Sequence, residues 1–84
     1  MKVTIAMTEL VESIAKALVD NPGSVMAVTS SENPNVVELR VASEDMGKVI
    51  GKQGRIARAI RIVVKAASAK SKKNMTVEIL SEDE

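Results

Sequence analysis

Gly51 and Gly54 enclose Lys52 and Gln53; Lys48 stands one helical turn before this segment and Arg55 directly after it. Backbone without Cβ atoms turns tightly and lets a second chain approach closely. The N–H groups that open a following helix point outward with positive partial charge. With Lys48, Lys52 and Arg55 around it, the segment suits the phosphates of a nucleic-acid backbone. Val49, Ile50 and Ile56 border it and supply apolar walls for bases. Two other phosphate-binding patterns fail here. Gly47 and Gly51 are separated by three residues and Lys52 is followed by Gln53, so no Walker A loop exists. The leading glycine pair of a dinucleotide fingerprint is missing as well.

Other chemistries are removed by composition. The 84 residues include no Cys, no His and no aromatic residue. Thiol nucleophiles, disulfides, imidazole bases and Cys/His zinc sites are thereby excluded, as is base stacking on aromatic rings. Glu44 and Asp45 are the one carboxylate pair near the glycines, and a helix N-terminus is their simpler role. No enzyme, metal site or cofactor is expected. Asn74-Met75-Thr76 has the form of a glycosylation sequon, but without a secretory signal it carries no functional weight. No apolar run approaches the ~20 residues that span a bilayer, and a cytoplasmic protein is expected.

The net charge of +1 hides a strong asymmetry. Lys48, Lys52, Arg55, Arg58, Arg61, Lys65, Lys70, Lys72 and Lys73 fall in a stretch without a single acidic residue. The rest of the chain holds Lys2, Lys16 and Arg40 with all 11 acidic residues. Such a division points to a surface that faces a polyanion.

The elements that must position these residues follow from local signals. Thr8 caps a helix with Glu9 and Glu12 near its positive end, and Leu10, Val11, Ile14, Ala15 and Leu18 form its apolar stripe. Asn21-Pro22-Gly23 stops it. Ser24–Ser30 and Val36–Ala42 read as a strand hairpin around Asn33-Pro34-Asn35. Ser43 caps a short helix to Ile50, the glycines break it, and a longer helix runs from Arg55 to Ala69. Met75–Leu80 is a last strand. On the longer helix Ile56, Ala57, Ile60, Val63, Val64 and Ala67 share a packing face. Arg58, Arg61 and Lys65 lie beside it, and Ala59, Ile62 and Ala66 form a third stripe, either ordinary surface or a surface for self-association or a partner. The expectation is an α+β domain of order α-β-β-α-α-β, a three-stranded sheet packed against three helices. Residues 1–7 are an N-terminal extension, 8–80 a single domain and 81–84 an acidic tail.

Val49-Ile50-Gly51-Lys52-Gln53-Gly54 resembles the signature of KH domains, and the element order resembles their type II arrangement. The likeness narrows further. Leu18-Val19-Asp20-Asn21-Pro22, Val37-Glu38-Leu39, the run from Asp45 to Ala57 and Ala59-Ile60-Arg61 resemble the small bacterial single-KH proteins of the KhpA family. In KH domains the Gly-x-x-Gly loop clamps about four nucleotides. The resemblance implies a cytoplasmic, dimeric protein that binds single-stranded RNA, acts as a post-transcriptional regulator or RNA chaperone, and pairs with a larger multidomain KH protein. The residues expected to bind RNA are Lys48, Ile50, Gly51, Lys52, Gln53, Gly54, Arg55, Ile56, Arg58 and Arg61. Many KH domains have Ile where this chain has Ala57; Ile56 and Ile60 sit beside it. Two alternatives stand: a protein-interaction adaptor without RNA binding, and a binder of single-stranded DNA. Lys52 argues against the adaptor, which needs no cation between its glycines. Only contacts to the 2′-OH separate RNA from DNA.

Overall fold

The computed structural model describes residues 7–69 and 74–83, and at positions 52 and 53 the backbone. The N-terminal extension other than Met7, the cations Lys70, Lys72 and Lys73, and Glu84 lie outside the described residues.

Helix α1 spans Met7–Leu18. Its buried side is Val11 and Ala15, one turn apart. Pro22–Ser24 forms a short 3-10 turn, so Ser24, expected to begin a strand, belongs to the turn instead. The fixed φ of Pro22 suits the first position of a helical turn. Strand β1 is accordingly short, Met26–Thr29. It pairs antiparallel with β2, Val36–Val41. Between them Asn33 Oδ1 accepts from Asn35 N at 2.9 Å, and Ser30 Oγ accepts from Glu32 N at 3.2 Å. These local bonds make the turn that the Asn and Ser residues announce.

From Ser43 to Ala69 the chain forms one helical run of 27 residues, α2. The break expected at the two glycines is therefore reduced to a single residue, Gly54, whose φ is +67°. Helical hydrogen bonding continues across the glycines because both flanks serve one core: Val49 before them and Ala57, Ile60 and Val64 after them belong to the same cluster. Tertiary packing of this kind overrides a local breaking tendency. The last strand, β3, spans Thr76–Ser81. It pairs parallel with β2, Val37 beside Val77 and Leu39 beside Ile79; α2 supplies the long crossover that parallel pairing requires. Ser81, assigned above to the tail, is thus a sheet residue, and Glu82 N donates to Val41 O at 2.8 Å.

The sheet order is β1-β2-β3, which leaves β1 and β3 as edges. Val37, Leu39 and Val41 on the central strand are fully buried, in one core cluster with Val11 and Ala15 of α1 and Val49, Ala57, Ile60 and Val64 of α2. The class is α+β, as expected, and the element order agrees apart from the joined helix. On the C-terminal part of α2 the buried arc is centred on Ala57, Ile60, Val64 and Ser68. Val63, expected to pack, lies at the rim of that arc and is exposed.

Candidate nucleic-acid interface

The start of α2 is held in place by one carboxylate. Asp45, only 2% exposed, accepts hydrogen bonds from Asp20 N (3.2 Å), Asn21 N (3.1 Å) and Asn21 Nδ2 (3.2 Å). A buried charge is tolerated when several donors satisfy it. Here the donors come from the segment that leaves α1, so the two helices are tied at this point. Lys48, one turn further on, gives its Nζ to Asp20 Oδ1 at 3.0 Å. It was expected on the phosphate site; the structure pairs it with a carboxylate.

Beyond Gly54 the cations are arranged differently. Arg55, Arg58, Arg61 and Lys65 are exposed, and none of them makes an ion pair among the described residues. Gly54, Arg58, Arg61, Ile62 and Lys65 line a hollow of about 250 Å³. Arg61 and Lys65 also line a larger open groove of about 550 Å³. Ser68 and Ala69 continue the α2 wall, and the other wall is Asn74, Met75, Thr76 and Val77 at the head of β3. The two hollows adjoin at Arg61 and Lys65, between Gly54 and the head of β3. Thr76 N is used by Asn35 O, on the β2 side. In a parallel ladder the next residue turns the opposite way, which directs the N–H and C=O of Val77 to the open edge, with its side chain in the core.

Of the ten residues expected to bind RNA, the structure brings Gly54, Arg58 and Arg61 into these hollows. Ile50 is 55% exposed beside Gly51, free to meet a ligand, while Ile56 is packed against the core. A Cβ built on Gly51 would meet nothing within 4 Å, so the backbone there is open to close approach. Lys52 and Gln53 lie on the described backbone between the glycines. Sequence reasoning missed Ser68, Asn74, Met75, Thr76 and Val77 as lining residues. It placed Lys65 on the basic face but left it out of the site. Nothing local marks the β3 residues, because only the fold sets them opposite α2.

A family profile described as KhpA/KhpB, KH domain, matches residues 8–79. The chain belongs to that family. It is 60% identical over 75 residues to the RNA-binding protein KhpA of Caldanaerobacter subterraneus subsp. tengcongensis, covering 88% of this chain and 100% of that one. With the RNA-binding protein KhpA of Clostridium perfringens the identity is 59%, with the same coverage. With that of Treponema pallidum it is 51% over 73 residues, 86% of this chain and 91% of the relative. No solved structure matches. The hollows between Gly54 and β3 therefore belong to a KhpA/KhpB-type KH domain, and their basic wall is the part of α2 that follows the second glycine.

Proposed function

We propose that this protein binds single-stranded RNA along the path from Gly51 to the edge of β3. The observation that carries the reading is the pair of adjoining hollows whose cations, Arg58, Arg61 and Lys65, have no carboxylate partner among the described residues. The relatives named RNA-binding protein KhpA support the same reading over nearly the whole chain.

Phosphates run past the open backbone at Gly51 and Gly54 and along the basic arc. Ile50 lies against a base on one side and Met75 on the other. Without an aromatic ring the ~1–3 kcal/mol per base that stacking supplies is lost. A single domain then binds near the non-specific range of ~10⁻⁴–10⁻⁶ M, with strong salt dependence. A second groove on a dimer raises the effective affinity through local concentration. Ile62, 61% exposed, stands at the border of the hollow, and with the exposed Ala59, Val63 and Ala66 it forms the surface for that dimer beside the RNA path. A larger KH protein is a further partner of the same kind. The setting is the cytoplasm and the role post-transcriptional, as regulator or RNA chaperone.

The test is fluorescence anisotropy of a labelled mixed-sequence single-stranded RNA with a matched DNA control. Wild type binds RNA, and Lys52→Asp/Gln53→Asp, folded by circular dichroism, does not. Equal binding by both proteins overturns the phosphate site. Binding of neither nucleic acid by wild type brings the adaptor forward, and equal binding of DNA removes the RNA preference. Sedimentation of Ile62→Asp, expected as a monomer, tests the dimer surface.

A further inference from the structure

Four exposed apolar residues lie on the outer side of α2 after the glycines: Ala59, Ile62, Val63 and Ala66. At about 100° per residue, Ala59 and Ala66 fall within about 10° of one line along the helix, and Ile62 and Val63 about 50° to either side of it. The spacing reads the same in both directions from the midpoint between Ile62 and Val63. A second α2 laid antiparallel on the first therefore sets Ile62 against the partner's Val63, and Ala59 against the partner's Ala66. An isologous two-fold contact requires that self-complementarity. A partner of another sequence requires no such palindrome, so the stripe fits a second copy of this chain.

The cations are not symmetric about that line. Arg58, Lys65 and Arg61 follow at about 90–150° round the helix on the Ile62 side, and Ile62 borders their hollow. The two-fold axis of an antiparallel pair runs perpendicular to the plane of the two helices. A flank of one copy therefore lies on the same side as the equivalent flank of the other. With the axes about 8–10 Å apart, the two basic flanks become one face, and none of its cations has an ion pair among the described residues. The apolar centre of the contact is four residues a side, against ~20–30 in a standard interface. So small a centre works against the repulsion of two like-charged flanks until an anion neutralises them. We infer that RNA binding and pairing through α2 are coupled: phosphates on the joined basic face hold the dimer together, and each copy completes the other's RNA site with its own Arg58, Arg61 and Lys65. This rests on the RNA reading above and adds to it how the site is assembled.

The experiment is sedimentation equilibrium of wild type, Val63→Asn and Arg58→Gln/Lys65→Gln, with and without a mixed-sequence single-stranded RNA of about four nucleotides. A strand of that length fills one KH loop and cannot tether two independent copies. Interference optics follow the protein, which has no aromatic residue; anisotropy of the labelled strand gives the RNA affinity. The substituted residues are exposed, and thermal melts confirm folding. Saturating RNA is expected to tighten the wild-type dimer about tenfold, within the ordinary range of coupling between sites, and the dimer to bind RNA more tightly by the same factor. Without RNA, added salt tightens the dimer because it screens the flanks. Arg58→Gln/Lys65→Gln tightens the RNA-free dimer while it weakens RNA binding, two opposite changes that an apolar contact alone does not give. Val63→Asn leaves the charge unchanged and lies across the stripe from the cations, outside their hollow. It is expected to be a monomer that has lost the tenfold gain in RNA affinity. A wild-type dimer of equal strength with and without RNA overturns the coupling while the RNA reading stands, and so does wild-type RNA affinity in Val63→Asn. A Val63→Asn protein that still dimerises overturns the contact. Failure of wild type to bind any RNA overturns the RNA reading itself, and the failures are thereby told apart.

Discussion

The two parts of α2 carry the same kinds of residue to opposite ends. Before Gly51 the helix is tied: Asp45 holds three donors from the end of α1, and Lys48 is paired with Asp20 at 3.0 Å. After Gly54 it is unpaired: Arg55, Arg58, Arg61 and Lys65 have no carboxylate in reach among the described residues, and three of them line the hollows. A lysine on the first part and an arginine on the second count alike in the net charge and do different work. The tied part fixes where the glycines stand. The unpaired part presents its charge at the surface, where the proposed RNA path runs. A helix that must be both anchored and attractive to a polyanion separates those duties along its length.

The largest effect is expected where the anchor is cut. Asp45→Ala removes the acceptor of three hydrogen bonds and leaves two part-buried backbone N–H groups without it. Orphaned buried donors cost ~1–3 kcal/mol each, so urea unfolding should show a loss of about 3 kcal/mol. RNA affinity of the protein that remains folded should change little. If stability holds, the anchor is not Asp45 and the contrast between the two parts loses its first half.

The glycines separate geometry from access. Gly54 at φ +67° sits where a Cβ is strained, although space around it is open. Gly54→Ala should cost about 1–2 kcal/mol. Gly51 has room for a Cβ and lies within the helical run. Gly51→Ala should therefore stabilise the fold by about 0.5–1 kcal/mol, the ordinary gain of Ala over Gly in a helix. On the proposed RNA path the same methyl stands in the way of the phosphate backbone, so RNA affinity should fall as stability rises. A Gly51→Ala protein that is more stable and binds as wild type shows that the phosphates pass elsewhere.

What could be read in advance divides along the same line of locality. The end of α1 was legible because Asn21-Pro22-Gly23 stops a helix by its own chemistry. The hairpin was legible from Asn33-Pro34-Asn35 and from the alternation of Val37, Leu39 and Val41 with polar residues. The family was legible in the glycine segment for the same reason, and the KhpA/KhpB profile matches residues 8–79 around it. The missing parts depend on the whole fold. Lys48 meets Asp20 across 28 positions of chain, and the parallel register of β2 with β3 sets Asn74–Val77 against Arg61 and Lys65. The continuity of α2 was hidden because glycine propensity is local while the core shared by Val49 and Ala57 is not. Val63 was misplaced for a smaller reason, since a helical wheel shows the centre of a buried arc better than its rim.

The smallest effect tests the division of cations most directly. The Lys48–Asp20 pair is exposed on both sides, and such pairs contribute about 0–1 kcal/mol. Asp20→Asn should leave stability within about 0.5 kcal/mol of wild type. Freed of its carboxylate, Lys48 becomes available one turn before Gly51. Each phosphate contact on a single strand adds ~0.7 to the slope of log affinity against log salt. The slope of Asp20→Asn should therefore steepen by about that amount, with tighter binding at low salt. In the wild-type background Lys48→Ala should leave RNA binding nearly unchanged, because the paired lysine contributes little to it. Anisotropy titrations at several salt concentrations measure both variants. Should Lys48→Ala weaken binding as much as Arg58→Ala does, the pair opens when RNA arrives. Asp20 would then hold the lysine in readiness, and the boundary between tied and unpaired cations would belong to the empty protein alone.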